Sequence, residues 1–264
     1  MPKTTRHQFE EKWRKLFEKF ATHAEDDAGI AGWSATGLET RLRNFSHIWR
    51  THNDLQQQGL WLDLGCGAGT YSKFISDQGM QVIGLDYSFP TLKKAQLRDY
   101  DSIEWCVADA TKIPLRANSF DGAICFGVTQ ALENSSTVVS ELALTTKEGG
   151  KVWIDALNQW CFIHVGECML RWLQGKPKHL RYETPHNIIK LMRMNHLGNI
   201  QLYWLPMFPS KLSRFQWMLE TPFAKWIFQK IPLIGSIFCH AFIITAEKVM
   251  SNDQQAMTTT TQLP

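Results

Sequence analysis

Apolar positions in the first 155 residues follow two rhythms in turn. Phe9, Trp13, Leu16, Phe17 and Phe20 recur at helical spacing over residues 5–22, with Glu and Lys on the other face, which predicts an amphipathic helix. A loop through Gly32 and Trp33 leads to a second helix with Leu38, Leu42, Phe45 and Trp49 turned inward. After these come short apolar runs separated by helical stretches: strands at 60–64, 80–86, 103–108, 119–126 and 151–155, with helices at 70–78, 89–98 and 135–146. Pro90 is tolerated in the first turn of its helix, and Glu148-Gly-Gly reads as a turn before the fifth strand. Strand and helix in alternation predict an α/β, doubly wound, Rossmann-like fold with helices on both faces of a mostly parallel sheet.

Beyond residue 156 the pattern is looser. Residues 157–174 read as a helix carrying Cys161, His164 and Cys168 on one face; a fourth ligand of suitable spacing is missing, so no metal is predicted. Thr184-Pro185 predicts an N-cap and first helical position for a helix reaching about Asn195. Strands are expected at 200–205 and 237–247. Between them, residues 206–236 hold four prolines, six Phe or Trp rings and four cations against Glu220 alone, which predicts a helical excursion of one or two short amphipathic helices.

The chemistry concentrates at the strand ends. The first strand, Leu60-Trp-Leu-Asp-Leu, runs into Gly65, Cys66, Gly67, Ala68 and Gly69. Glycines at alternate positions let the backbone take positive φ and approach a ligand, with the first N–H groups of the next helix aimed at the same place. The dinucleotide fingerprint needs its third glycine one position later, and the carboxylate of Asp63 suits a ligand bearing positive charge. Asp86 ends the second strand, where an acid can accept hydrogen bonds from ribose hydroxyls, and Tyr87 follows it. Asp109-Ala110 ends the third strand and Phe126-Gly127 the fourth.

An apolar strand carrying an acid, then Gly-x-Gly-x-Gly, then acids at the tips of the second and third strands and a Phe-Asp pair opening the fourth, resembles the class I S-adenosylmethionine-dependent methyltransferases. The resemblance spans about residues 30–160 and extends loosely to the last two strands. It implies a seven-stranded sheet whose last strand runs antiparallel, and S-adenosylmethionine as cofactor. It further implies cofactor binding by Asp63, Gly65, Cys66, Gly67, Gly69, Asp86, Tyr87, Asp109, Ala110 and Phe126, with Asp109-Ala110 meeting the adenine. Trp33 and Arg43 are candidate contacts from the N-terminal helices. The resemblance points to the small-molecule, methyltransferase type 11-like branch, whose acceptors are lipids, quinones, sugars and natural products. Phe126-Gly-Val-Thr-Gln stands where nucleic-acid methyltransferases usually carry a base-pocket motif, so no nucleic-acid partner is predicted.

Composition alters this picture in two ways. The net charge of +3 is uneven: residues 61–156 carry −4 and residues 157–248 carry +7. A negative half suits a cationic cofactor; a basic, aromatic half suits an apolar acceptor, an anionic membrane surface or a homodimer contact. The six cysteines show no CxxC spacing and read as reduced thiols of a cytoplasmic protein. The N-terminal stretch has no apolar leader-like core, and the uncharged apolar run Ile231 to Ala246 is 16 residues, short of a spanning helix.

The expected organisation is an N-terminal helical cap over 1–55, a methyltransferase domain over 56–250 and a polar, disordered tail over 251–264. The expected reaction moves a methyl group to a small apolar acceptor, chiefly by alignment and exclusion of water. No catalytic residue is assigned, although His164, His186 or His240 could serve a hydroxyl acceptor as a general base. Two readings compete: a nicotinamide-dependent Rossmann oxidoreductase, and a catalytically silent methyltransferase-like binding protein.

Overall fold

The computed structural model describes residues 5–52, 59–98, 103–177, 179–208 and 210–249; the tail predicted for 251–264 lies outside them. The chain opens with helices α1 (Thr5–His23), α2 (Asp27–Ile30) and α3 (Ala35–Thr51), then alternates through β1 (Leu60–Leu64), α4 (Thr70–Ser76), β2 (Gln81–Asp86), α5 (Phe89–Gln96), β3 (Ile103–Val107), β4 (Phe120–Cys125), α6 (Ser136–Thr145) and β5 (Thr146–Leu157). It continues through α7 (Phe162–Leu173), α8 (Pro185–Met194), β6 (Leu197–Leu205), a 3-10 turn at Ser210–Phe215, α9 (Gln216–Leu219), α10 (Pro222–Lys230), α11 (Pro232–Phe238) and β7 (Ala241–Lys248).

The seven strands form one sheet in the order β3-β2-β1-β4-β5-β7-β6. β1 to β5 are parallel, and β7 runs antiparallel to both β5 and β6. The chain winds outward from β1 to β3 and returns to β4, so the order reverses beside β1. An open α/β sheet has its ligand crevice at the carboxyl tips of the strands flanking such a reversal.

Side-chain alternation supplies both faces of this sheet with core. Trp153 and Ile154 are neighbours on β5, and both are fully buried in opposite layers. One layer packs Leu62, Phe120, Leu142, Ile188 and Phe242 under α6 and α8. The other gathers aromatic rings under α3 and α4, with Phe45 at the centre, 5.0–5.6 Å from the rings of Trp49, Tyr71, Phe74, Phe126 and Trp153. Edge-to-face contacts of this kind fix α3 against the sheet.

Several boundaries differ from the sequence expectation: the helix expected from 157 starts at Phe162, because β5 runs through Leu157 and Cys161 is its N-cap, and β6 starts at Leu197. Glu148-Gly-Gly is a bulge inside β5: pairing jumps from Phe120 with Thr146 to Gly122 with Lys151, and Gly149 takes the left-handed conformation. Ile237 and Phe238 end α11 instead of beginning the last strand, because Pro232 starts a helix that carries through them. The 206–236 excursion holds three short helices and a 3-10 turn, each of α9, α10 and α11 only four to nine residues long. Thr184 caps α8 as expected, its hydroxyl accepting from Asn187 N at 3.2 Å.

Candidate active site

The glycine turn follows β1 directly. Gly65, Gly67 and Gly69 have φ of 75°, 53° and 86°, a region where a Cβ is strained. At Gly65 a Cβ would stand 2.1 Å from Val128 Cγ2, whereas at Gly67 nothing lies within 4 Å. The turn is pinned to β2: Gly65 N and Cys66 N both donate to Leu85 O, and Gly67 N donates to Asp86 Oδ2 at 3.0 Å. The other oxygen of Asp86 accepts from Ser88 N at 2.9 Å.

Above this turn lies a cavity of about 130 Å³ at the tips of β1, β2, β3 and β4. Of the expected cofactor residues, Gly65, Cys66, Gly67, Asp86, Tyr87, Asp109, Ala110 and Phe126 line it. Asp63 and Gly69 do not. Asp63 is buried beneath the turn, where it accepts from Ser72 Oγ at 2.6 Å, and Gly69 packs against the Trp105 ring. Burial, aided by the negative charge of Asp86 and opposed by Ser72, pushes the Asp63 carboxyl up to about 7. Burial likewise raises Asp86 above the usual carboxylate range, against the pull of three N–H donors.

The N-terminal helices roof the cavity. Trp13, Arg14 and Phe17 of α1 line it together with Asp27 and Ile30 of α2. Arg14 donates to Asp109, and its guanidinium sits 5.4 Å from the centre of the Tyr87 ring, whose hydroxyl donates to Arg14 O. Burial opposes the charge on Asp109, but Thr111 N, Thr111 Oγ1 and Arg14 together hold its carboxyl below the ordinary value. Asp27 accepts from Thr70 Oγ1 and pairs with Arg98, tying α2 to the start of α4. Asp27 and Thr70 were not singled out from sequence; nothing but their contact across the fold distinguishes them.

A second, larger cavity of about 660 Å³ adjoins the first, with Trp13, Ala31 and Trp33 shared between the two linings. The shared wall is held by a buried network. Asp155 accepts from Gly127 N at 2.7 Å and from Arg41 Nη1 at 2.5 Å, and the Arg41 guanidinium lies 4.6 Å from the Trp33 ring centre. Arg43, the arginine expected to face the cofactor, is instead shared by Glu39 and Glu220 at the rim of the larger cavity. Arg41 carries the buried pairing, two residues away on the other side of α3.

Three histidines had been weighed as bases. His186 is exposed on α8 and lines neither cavity. His164 and His240 both line the larger one and are hydrogen-bonded to each other at 2.9 Å. Cys161 and Cys168 bring no metal cluster to His164: among the described residues no group of three or more His, Cys, Asp or Glu side chains is arranged to hold an ion. All six cysteines are free thiols.

Outside the cavities, α7 buries only His164, while Phe162, Val165, Met169, Leu170, Trp172 and Leu173 are exposed, Trp172 by 77%. Phe162 meets Phe238 of α11 at 5.6 Å, and on α10 the exposed rings of Phe223 and Trp226 stack on each other at 6.4 Å. No described helix is long and apolar enough to cross a membrane.

Comparison with known proteins agrees with this geometry. Residues 62–154 match the family model described as "Methyltransferase domain". The Ubiquinone biosynthesis O-methyltransferase of Idiomarina loihiensis is 29% identical over 160 residues, covering 57% of this chain and 66% of that protein. The Demethylmenaquinone methyltransferase of Renibacterium salmoninarum is 38% identical over 92 residues, covering 34% of this chain and 38% of that one. The chain thus spans no more than about two thirds of these curated relatives. Among solved structures, the magnesium protoporphyrin IX methyltransferase of Synechocystis PCC 6803, with bound SAH, superposes with a TM-score of 0.60 at 16% identity, covering 92% of this chain and 97% of that one. The phosphoethanolamine N-methyltransferase 2 of Haemonchus contortus, in complex with S-adenosyl-L-methionine, superposes at 0.59 and 18% identity, covering 79% of this chain and 53% of that one. At these identities the structural likeness establishes the fold.

Proposed function

We propose, from the premise that residues 62–154 belong to the class I S-adenosylmethionine-dependent methyltransferases, that this chain methylates a small apolar acceptor of the quinone or lipid class. The observation that carries the reading is the pair of adjoining cavities whose linings share Trp13, Ala31 and Trp33. The smaller suits the donor: Gly67 leaves open space where a side chain would stand, the lining is mostly apolar, and the Asp86 carboxylate is the polar group held at its floor. When bound there, the sulfonium supplies an activated methyl group and a neutral thioether leaving group. Gly65 to Gly67 would hold the methionine portion, Asp86 the ribose, and Asp109 with Ala110 the adenine. Asp63, sealed below, acts on the cationic ligand through its field alone.

The larger cavity would take the acceptor. Its walls come from α3, α7, the segment after α7 and the start of the 206–236 excursion, and they bring Trp33, Ile163, Leu180, Met207 and Phe208 together with Arg41, His164 and His240. The chain's own contribution is then to align the acceptor with the donor where the two cavities meet beside Trp33 and to keep water out. Names carried by the relatives, ubiquinone and demethylmenaquinone methyltransferase, support a quinone-related acceptor. The exposed apolar side chains of α7 and α11, with Arg171 on α7 and Lys225 and Lys230 on α10, support a peripheral approach to an anionic membrane in which such acceptors dissolve.

The decisive experiment incubates the purified protein with isotopically labelled S-adenosylmethionine and separate lipid and polar-metabolite extracts, and identifies the labelled product by mass spectrometry. The proposal expects a labelled apolar product. A labelled product confined to the polar extract would overturn the acceptor class, and failure of the protein to float with anionic liposomes would overturn the membrane approach.

A further inference from the structure

The larger cavity contains a hydrogen-bonded pair of imidazoles whose tautomers are set by the backbone. We propose that His240 is the general base that removes a hydroxyl proton from the acceptor, with His164 as its positioning residue, so that the reaction is an O-methylation. This rests on the reading of the two cavities given above.

The argument begins at Asn158, the fully buried residue that follows β5. Its amide N donates to His240 O at 3.0 Å, and its side-chain Nδ2 donates to Ser236 O and Cys239 O at 2.6 and 2.8 Å. Its Oδ1 accepts from Trp160 N at 3.1 Å. One side chain therefore clamps the link between α11 and β7, on which His240 sits, to the start of α7, on which His164 sits. The clamp closes the remaining distance: Asn158 O lies 2.7 Å from His164 Nδ1.

A carbonyl oxygen only accepts, so His164 Nδ1 carries the proton, and its Nε2 in the neutral ring is an acceptor. Facing that nitrogen at 2.9 Å is His240 Nδ1, which must then be the donor. The second ring is thereby fixed as the Nδ1–H tautomer with its lone pair on Nε2. That nitrogen has no hydrogen-bond partner among the described residues, and the ring lines the larger cavity. His164 is held in addition by stacking on Tyr182, with centroids 4.4 Å apart and planes at 28°.

Such an arrangement delivers a free lone pair at a defined position in a cavity built for a substrate. In the step, the acceptor O–H proton passes to His240 Nε2 while the hydroxyl oxygen forms its bond to the methyl carbon. The carbon–sulfur bond breaks with its electron pair left on sulfur, giving the neutral thioether. The imidazolium formed donates from Nδ1 to His164, whose own Nδ1–H remains bound to Asn158 O.

The charged and titratable groups that face the pair come from three directions: Arg41 from α3, Glu167 from α7, and His179 with Tyr182 from the segment after α7. Glu167 is engaged by His179 and by the Tyr182 hydroxyl. Burial first, then the positive charge of Arg41, keeps His240 well below 6.5 and therefore unprotonated at neutral pH. Burial lowers His164 too, partly offset by its bond to Asn158 O.

The test uses His240→Asn, which can keep a donor toward His164 but has no base, and His164→Gln. Neither residue lines the smaller cavity, so calorimetric binding of S-adenosylmethionine should match wild type in both variants. Loss of binding in the wild type would instead overturn the cofactor reading. The probe is 4-nitrocatechol, whose phenolate is read by absorbance without turnover. Wild type should bind it with phenolate formation shifted to lower pH; His240→Asn should lose that shift. Methylation of unsubstituted catechol, whose hydroxyls stay protonated at neutral pH, should fall at least 100-fold in His240→Asn and recover as pH rises, because free phenolate needs no base. In wild type it should lose rate on an acid limb below pH 6.5, and His164→Gln should lower the maximal rate and move that limb. Nitrogen-15 spectra should show a protonated Nδ1 on His240. The inference is overturned if His240→Asn methylates within threefold of wild type with the same acid limb. It is also overturned if wild type binds the donor but neither methylates catechol nor shifts the ionisation of the probe, or if His240 carries its proton on Nε2.

Discussion

The two cavities are built by opposite means. Around the smaller one the glycine turn and strand-end acids, fixed by the register of β1, β2 and β3, form one side, and apolar side chains from α1, α2 and the strand ends close the rest. Around the larger one it is side chains from helices and connecting segments, oriented by long-range contacts such as Asn158 to His164 and Arg41 to Asp155. A backbone-built site serves one unchanging ligand; a side-chain-built site can be respecified without touching the sheet. That division is also why family likeness covers residues 62–154 and thins beyond them.

The sharpest way to separate the two halves is Asp86→Ala. It removes the acceptor for Gly67 N and Ser88 N and leaves two buried donors unpaired, which costs about 1–3 kcal/mol for each unsatisfied group. Donor binding should weaken at least 100-fold by calorimetry, while 4-nitrocatechol binding to the larger cavity should change by less than threefold. Comparable losses at both sites would break the division.

Gly65→Ala should come next. The added methyl would sit 2.1 Å from Val128 at a φ of 75°, so destabilisation of about 2 kcal/mol or more is expected in denaturant unfolding. Gly67→Ala has the same kind of φ but open space, and should cost less stability while crowding the donor.

Charge sharpens the contrast further. Asp63 holds its proton in the fold up to about pH 7 but releases it near 4 when unfolded. The folded state therefore binds the extra proton between those values, and stability falls as pH rises through that window. Asp63→Asn should flatten part of this fall in unfolding measurements. Ionised Asp63 also favours a cation, so affinity for S-adenosylmethionine should rise as pH passes through about 7. Affinity for the thioether product, one positive charge poorer, should rise less.

Smaller effects are expected at the roof and the outer face. Arg14 occupies the Asp109 carboxylate that the adenine is proposed to use, and the pair is half exposed. A pair of this exposure is worth up to about 1 kcal/mol, so Arg14→Ala should tighten donor binding by a few-fold. Trp172→Ser, on the exposed face of α7, should leave stability within about 0.5 kcal/mol and donor binding unchanged. It should reduce flotation with anionic vesicles.

The halves also differed in how much of them could be read from sequence. Asp86 and Asp109 were legible because each ends an apolar run of strand length, and a parallel strand has its ligand edge at that end. The larger cavity was legible only through His164 and His240, each named singly as a candidate base and not as a pair. Arg41 and Asp155 are 114 residues apart, and His164 and His240 are 76 apart, so neither pair leaves a local spacing to find. The resemblance nominated Arg43 and passed over Arg41, and only packing against Trp33 and β5 separates them. In the run from Ile231 to Phe238, apolar residues suited strand and helix equally; Pro232 was the one local cue, and it pointed to the helix that forms.

The account stands most directly on titration calorimetry of the folded protein with S-adenosylmethionine, S-adenosylhomocysteine and NADH. One site that binds the first two and ignores the third is the predicted result. A well-folded protein that is silent to both sulfur ligands, or that binds NADH in their place, would contradict it.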